Sequence, residues 1–153
     1  MASITPFLWF DTELSEPIAF YTSIFADSPG SPAVPLAGEG PIFSATIVLA
    51  GQKLMLLNGG PVHRGFSESI SLFVNVATQD EVDDLWERLT SGGGQPGRCG
   101  WLKDRYGLSW QIVPTVLGEL LGSPDRLRAQ QALEAMMTMD RLDIAALRAA
   151  YDR

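Results

Sequence analysis

The sequence has one cysteine and one histidine among its 153 residues. Cys99 has no second cysteine to pair with, so the chain cannot form an internal disulfide framework. His63 and Cys99 together provide too few ligands for a Cys/His zinc site or a two-histidine iron site within one chain. The shortage of these two residue types is therefore the most restrictive feature of the composition.

Positive charge and long hydrophobic runs are also scarce. Eleven Lys and Arg residues against 18 Asp and Glu residues give a net charge of −7, which repels phosphate backbones and anionic membrane surfaces. The longest apolar runs, such as residues 47–50 and 54–57, are far shorter than the ~20 residues that span a bilayer. No basic segment followed by an apolar stretch opens the chain, so no signal peptide is expected. These absences predict a cytoplasmic protein without a nucleic acid or membrane partner.

What the sequence does contain is one order of elements that occurs twice. In the first copy, residues 4–10 form a predicted strand, and a helix follows with Leu14, Ile18, Tyr21 and Phe25 on its buried side. Asp11 or Ser15 is the expected cap of this helix. A loop or loose edge strand is expected at 27–41, and a hairpin at 42–49 and 53–58.

The second copy begins about 65 residues later, with a predicted strand at 69–76. Thr78 and Glu81 have the spacing of a capping box, and they precede a helix with four apolar residues on its buried side: Val82, Leu85, Trp86 and Leu89. After a loop at 92–97, strands at 98–103 and 108–113 form the second hairpin. Asp143 is the expected cap of the last helix in the tail, which also has predicted helices at 117–121 and 125–139.

The duplication predicts a single α+β domain over residues 1–153. Module one covers about residues 1–61, module two about 66–114, and a helical tail about 115–153. Neither module can bury its sheet face alone, so we expect two curved sheets that enclose a cavity. The apolar tail helices offer a self-complementary surface, which predicts a homodimer.

Several single motifs favour structural roles. Gly92, Gly94 and Gly97 match G-x-G-x-x-G, but they follow a helix and precede a strand, the reverse of the order in a nucleotide site. A Rossmann-type S-adenosylmethionine site is not expected for the same reason. His63 is expected in an exposed loop and Cys99 as a small core residue on a strand. Four tryptophans and three tail methionines are interpreted as mostly core packing: Trp9, Trp86, Trp101, Trp110, Met136, Met137 and Met139. The alternatives are that one or two of the tryptophans line a cavity and stack on a ligand, and that the methionines form a partner-binding surface.

Runs along nearly the whole chain resemble the PhnB-like branch of the glyoxalase/bleomycin resistance/dioxygenase (vicinal oxygen chelate) superfamily. These runs are Ile4 to Asp11, Leu57 to Pro61, Ser69 to Val74, Cys99 to Asp104, Tyr106 to Pro114 and Ala135 to Ala145. The resemblance implies paired βαβββ modules. Members of this branch are often described as 3-demethylubiquinone 3-methyltransferases.

The resemblance also implies four positions for the ligands of a divalent metal, and all four are altered. Ile4 and Ser69 stand where the family's usual pattern has histidines, and Asn58 and Gln111 stand where it has acidic residues. A hard or borderline dication needs imidazole or anionic oxygen donors to offset its dehydration. We therefore expect neither a metal nor another cofactor.

Strand alternation from these four positions predicts a cavity lined by nine residues: Ile4, Pro6, Leu8, Leu56, Asn58, Ser69, Ser71, Ser109 and Gln111. Such a lining suits a small, partly apolar organic molecule, although the polar groups could instead satisfy one another in a filled barrel. A methyl-transferring or other metal-free enzyme and a metal-dependent lyase or oxygenase are the alternatives. No catalytic residue can be assigned, because Asp11, Glu68 and Asp104 are expected to be solvated at strand ends or turns.

Overall fold

The structure is a computed structural model, and it describes residues 1–25, 33–34 and 41–153. These residues contain two four-stranded sheets and five helices, so the predicted α+β class is confirmed. The chain divides into two compact units, Met1–Gly65 and Phe66–Arg153. None of the helices in the described ranges is long and apolar enough to cross a membrane.

The first unit contains one helix and one mixed sheet. Its elements are β1 (Phe7–Phe10), α1 (Ser15–Ile24), β2 (Ala33–Val34), β3 (Ser44–Leu49) and β4 (Gln52–Asn58). The strand order is β1-β4-β3-β2, with β1 parallel to β4 and the other neighbours antiparallel. Most of the loop predicted at 27–41 lies outside the described residues, but β2 pairs with β3 as an edge strand.

The second unit repeats this arrangement and adds the tail. Its elements are β5 (Leu72–Val76), α2 (Gln79–Thr90), β6 (Gln95–Pro96), β7 (Trp101–Lys103) and β8 (Ser109–Pro114). The order β5-β8-β7-β6, with β5 parallel to β8, has the same topology as the first sheet. Both units therefore follow the βαβββ order that the repeated sequence pattern predicts.

In the first unit the core lies between the sheet and α1. Leu8 and Phe10 are buried on one face of β1, and the ring of Phe10 lies 6.3 Å from that of Tyr21 on α1. The predicted cap of α1 is wrong, because the helix begins at Ser15 after Leu14, which makes no side-chain cap. The carboxylate of Glu13 instead accepts the backbone N–H and the hydroxyl of Ser15.

In the second unit α2 forms as the sequence predicts. Thr78 Oγ1 accepts the N–H of Glu81, and the Glu81 carboxylate accepts the N–H of Thr78, which is the predicted capping box. The expected apolar residues Val82, Leu85, Trp86 and Leu89 are buried. The same core contains the buried residues Leu102, Trp110 and Ile112, which share one face of the sheet.

The tail helices α3 (Thr115–Leu121), α4 (Arg126–Met137) and α5 (Ile144–Tyr151) complete the second unit, where α3 contacts β8 and the three helices contact one another. Val113, Leu117, Leu142 and Leu147 form a buried cluster, and Met136 and Met139 pack against it, as expected for core methionines. Met137 is exposed. Asp143 caps α5 by accepting the N–H of Ala146, as predicted.

Candidate functional site on the second sheet

The glycine motif before β7 serves backbone packing. A Cβ at Gly94 would lie 2.7 Å from Thr90 Cα and 2.8 Å from the Lys103 carbonyl oxygen. A Cβ at Gly97 would lie 2.7 Å from the Trp101 carbonyl oxygen. These glycines let the chain approach α2 and β7 closely, and the motif runs from a helix into β6, so it does not form a phosphate loop.

One face of the second sheet gathers the polar and aromatic side chains of the site. The register pairs Gln111 with both Phe73 and Trp101, and it pairs Ser109 with Lys103. Because side chains alternate along a strand, these residues share one face, and Trp110 and Ile112 lie on the face that α2 covers. We call this surface the cavity face: Ser71, Phe73, Trp101, Lys103, Ser109 and Gln111. It contains three of the predicted site residues.

A mainly apolar cavity of about 390 Å³ lies at the end of this face where α3 begins. Gln111 at its wall donates a 2.9 Å hydrogen bond from Nε2 to the Ser71 hydroxyl oxygen. This bond fixes the orientation of the side-chain amide next to apolar neighbours. We call this space the apolar cavity; it is lined by Phe73, Asn75, Cys99, Trp101, Gln111, Val113, Pro114, Thr115, Leu117, Gly118, Leu121 and Met136.

A second space, of about 560 Å³, shares Cys99 and Trp101 with the first. Lys103 Nζ lies 2.5 Å from Glu68 Oε1, and this hydrogen bond lowers the pKa of the Glu68 carboxyl. Ser109 is only 1% exposed, and its Oγ has no hydrogen-bond partner among the described residues. We call this space the polar cavity; it is lined by Glu68, Gln95, Pro96, Gly97, Arg98, Cys99, Trp101, Leu102, Lys103 and Ser109.

The predicted site residues of the first unit are placed differently. Leu8 and Leu56 are 5% and 0% exposed on the face of the first sheet that contacts α1, so alternation counted from Ile4 assigned them to the wrong face. Ile4 is 98% exposed before β1 begins. The carbonyl oxygen of Pro6 accepts the Met55 N–H, and Asn58 is partly buried at the end of β4 opposite Phe10.

Ser69 of the second unit lies before β5 and is exposed, with its Oγ 2.7 Å from that of Ser67. Ser69 is therefore not part of the cavity face. Trp101 and Lys103 were missing from the predicted site. Residues directly opposite each other in a hairpin share one face of the sheet. The predicted hairpin therefore contained the information that places Trp101 beside Gln111 and Lys103 beside Ser109.

The acidic residues considered as a general base differ in how deeply they are buried. Asp104 is 2% exposed, so the expectation that it is solvated is wrong. Its Oδ1 accepts the N–H groups of Tyr106 and Leu108, at 2.8 and 3.1 Å, and its Oδ2 accepts Trp110 Nε1–H at 2.9 Å. These bonds give Asp104 a structural role in the turn between β7 and β8. Asp11 is exposed.

The single histidine and the single cysteine differ in their exposure and in their neighbours. His63 is exposed, as expected, with its ring 4.6 Å from the Trp9 ring in an edge-on arrangement. Cys99 is partly buried and lies in the loop before β7 rather than on a strand, with a positive φ of 57°. Its Sγ is 3.9 Å from Met137 Sδ.

The residues at the superfamily's usual metal positions do not fit a divalent cation. Ile4 has no donor atom, and Asn58, Ser69 and Gln111 provide only neutral amides and a hydroxyl. Across the described part of the chain, no three His, Cys, Asp or Glu side chains come together in a group that could hold a metal ion. We therefore derive no chemical step through a metal.

Comparison with solved structures finds the same fold in several proteins. A putative 3-demethylubiquinone-9 3-methyltransferase, the PhnB protein of Bacillus cereus, is 31% identical over 74% of this chain and all of its own, with a TM-score of 0.63. A Pseudomonas aeruginosa protein is 20% identical over 74% of this chain and 98% of its own, with a TM-score of 0.60. The fosfomycin resistance protein FosX of Listeria monocytogenes, solved with Mn(II) and sulfate, is 15% identical over 84% of this chain and 97% of its own, with a TM-score of 0.53.

No curated protein matches the sequence. The sequence model of the family described as 3-demethylubiquinone-9 3-methyltransferase matches residues 2–113, which include both βαβββ modules. Together with the neighbours above, this match confirms the glyoxalase/bleomycin resistance fold and the resemblance found in the sequence. The chain belongs to the 3-demethylubiquinone-9 3-methyltransferase (PhnB-like) family.

Proposed function

We propose that this protein binds a small, partly apolar organic molecule on the cavity face of its second sheet, without a metal. The observation that carries the proposal is the apolar cavity of about 390 Å³ beside an oriented polar group. Ligand sites are concave and mostly apolar, with a few polar groups that set orientation. The apolar cavity has this combination of features.

The side chains in the apolar cavity offer a ligand two kinds of contact. Phe73 and Trp101 offer flat apolar surfaces on which a ring can stack. Gln111 cannot rotate its amide freely while Nε2 is bonded to Ser71, so the amide presents a fixed hydrogen-bonding edge. A ligand with a ring or short chain and one polar substituent satisfies both parts of this lining.

Methyl transfer is the second candidate, because the family is described by that activity. An S-adenosylmethionine site of the Rossmann type needs a glycine-rich turn that leads from a strand into a helix. The glycine motif of this chain leads from α2 to β6, and two of its glycines serve backbone packing. These features favour binding over methyl transfer.

Native mass spectrometry of the freshly purified protein tests the proposal. We expect a homodimer that retains an organic adduct and has no mass increment of a metal ion. Gln111→Leu should reduce retention of the adduct, and Gln130→Leu on the exposed surface of α4 is the matched control. One metal per subunit, or turnover of a quinol with S-adenosylmethionine, would contradict the proposal.

A further inference from the structure

The polar cavity is lined by a residue with a buried hydroxyl group that no described residue hydrogen-bonds. Ser109 lines this cavity, is 1% exposed, and its Oγ has no hydrogen-bond partner among the described residues. Buried polar atoms in native proteins are nearly always paired, so an unpaired one calls for a specific explanation. A ligand atom that accepts the Ser109 hydroxyl hydrogen provides that explanation.

The charged residues around this hydroxyl favour an anion. Two cationic side chains, Arg98 and Lys103, and one carboxylate, Glu68, line the polar cavity. Arg98 Nε also lies 3.5 Å from Asp140 Oδ1, and Asp140 is not part of this lining, so the lining itself has one more positive than negative side chain. Lys103 lies directly across the hairpin from Ser109, so the two side chains start from neighbouring positions on one face of the sheet.

The wall between the two cavities is apolar and aromatic. Trp101 and Cys99 line both spaces, and most of the surface of the apolar cavity is apolar. A molecule that passes Trp101 can therefore have a charged end in the polar cavity and an apolar body in the apolar cavity. This arrangement matches an amphiphilic ligand better than a uniformly polar or uniformly apolar one.

We propose that the polar cavity binds the carboxylate of an amphiphilic organic acid, whose apolar body packs against Trp101. This inference rests on the proposed binding function and specifies its ligand class. The Ser109 hydroxyl donates to one carboxylate oxygen, and the Lys103 ammonium pairs with the same group while sharing its remaining donors with Glu68. Three N–H donors on one ammonium allow both contacts. No bond is made or broken in the ligand.

Three probes with one phenylpropyl body separate the charge of the head group from the burial of the ring: 3-phenylpropionate, 3-phenylpropanol and 3-phenylpropylamine. Dissociation constants are measured by calorimetry, and the indole N–H signals of the four tryptophans are followed by NMR. We expect the acid to bind about tenfold more tightly than the alcohol, because charge-assisted hydrogen bonds are the stronger kind. We expect the amine to bind most weakly and the Trp101 signal to shift most.

Two variants test the two contacts separately. Ser109→Ala should weaken binding of the acid about tenfold. Lys103→Gln should remove the preference for the acid over the alcohol. The other lysine of the chain gives a matched control, because Lys53→Gln changes the net charge equally within the first unit and should leave all three constants unchanged.

The outcomes also separate this inference from the proposed function. Equal binding of acid and alcohol, with both weakened by Gln111→Leu, would overturn the carboxylate assignment and leave small-molecule binding in place. Tightest binding of the amine would overturn it in favour of a cation at Glu68. Failure of all three probes to bind would overturn it as well, and the adduct in the native spectrum would then decide the proposed function independently.

Discussion

The indole Nε1 of Trp110 donates a 2.9 Å hydrogen bond to Oδ2 of Asp104, and both side chains are buried. The other carboxylate oxygen accepts two backbone N–H groups of the β7–β8 turn. One side chain therefore connects the turn to the core beneath the sheet. Because Ser109 lies between the two partners in sequence, this bond also fixes the strand that supports the cavity face.

Asp104→Asn tests this connection. The asparagine oxygen can still accept from the turn, but its amide nitrogen then faces the Trp110 donor, which leaves a buried N–H without an acceptor. We expect a loss of about 2 kcal/mol in the free energy of unfolding, measured by urea denaturation. Trp110→Phe removes the donor, so the double variant should lose less than the sum of the single losses. Additive losses would show that the bond does not connect the two side chains energetically.

Ser109→Ala should stabilise the protein while it weakens binding. Removal of a buried hydroxyl without a partner removes its desolvation penalty, so we expect a gain of about 1 kcal/mol in the free energy of unfolding. Ser71→Ala is the matched control, because it removes the acceptor of the Gln111 amide and should not stabilise. A destabilised Ser109→Ala variant would indicate that the hydroxyl already has a partner in the free protein.

Gly94→Ala tests the structural role of the glycine motif. The new methyl carbon would lie within 3 Å of backbone atoms of Thr90 and Lys103, which cannot yield as a flexible side chain can. We expect a loss of about 2 kcal/mol in thermal or chemical unfolding. Gly118→Ala lies within α3 with no atom inside 4 Å of the new carbon, so it should instead stabilise by about 0.5–1 kcal/mol. Equal effects of the two substitutions would contradict this assignment.

Glu81→Gln should change how stability depends on acid. Backbone N–H groups of Thr78 and Ala77 hydrogen-bond the carboxylate, which lowers the pKa of Glu81 from its ordinary value of 4.5. A carboxyl with a lowered folded pKa stabilises the fold above that ordinary value, and this contribution is lost as the pH falls through the folded pKa. Because glutamine is neutral at every pH, the stability difference between wild type and variant should shrink below pH 4.5. Melting temperatures from pH 7 down to pH 3 measure it.

The control for this experiment is Glu119→Gln on the exposed surface of α3. Its stability difference from wild type should vary less between neutral and acidic pH than that of Glu81→Gln. If both variants behave alike, the capping box does not account for the acid dependence, and Glu13 or Glu68 becomes the better explanation, since hydrogen bonds lower the pKa of each.

Local signals in the sequence predicted the capping box of α2, the duplication and the order of the elements along the chain. The capping box of Thr78 and Glu81 depends only on residues three apart, and the repeated order of elements is visible as two similar strand, helix and hairpin patterns. Polar and apolar residues alternate along β8, so Ser109 and Gln111 separate from Trp110 and Ile112 and fall on the expected face. Sequence reasoning was sufficient wherever the pattern has a clear period.

The first unit gave no such signal for the faces of β1. Phe7, Leu8, Trp9 and Phe10 are all large and apolar, so nothing in their order shows which side meets α1. Contacts with α1, such as that between Phe10 and Tyr21, determine which face of β1 is buried, and they join residues that are distant in sequence. The hydrogen bond between Asp104 and Trp110 could not be predicted from the sequence either, because its contribution to stability depends on the burial of both side chains.

In each sheet the strand that comes first along the chain pairs in parallel with the strand that comes last, so every element between these two strands must be made before the pair can form. Pairings between distant residues delay folding, because the intervening loop has to be closed first. All the partners in the first sheet precede Gly65, however. During synthesis the first sheet can therefore be completed while the second is still being made, and the slow step of the second sheet waits for β8 to leave the ribosome.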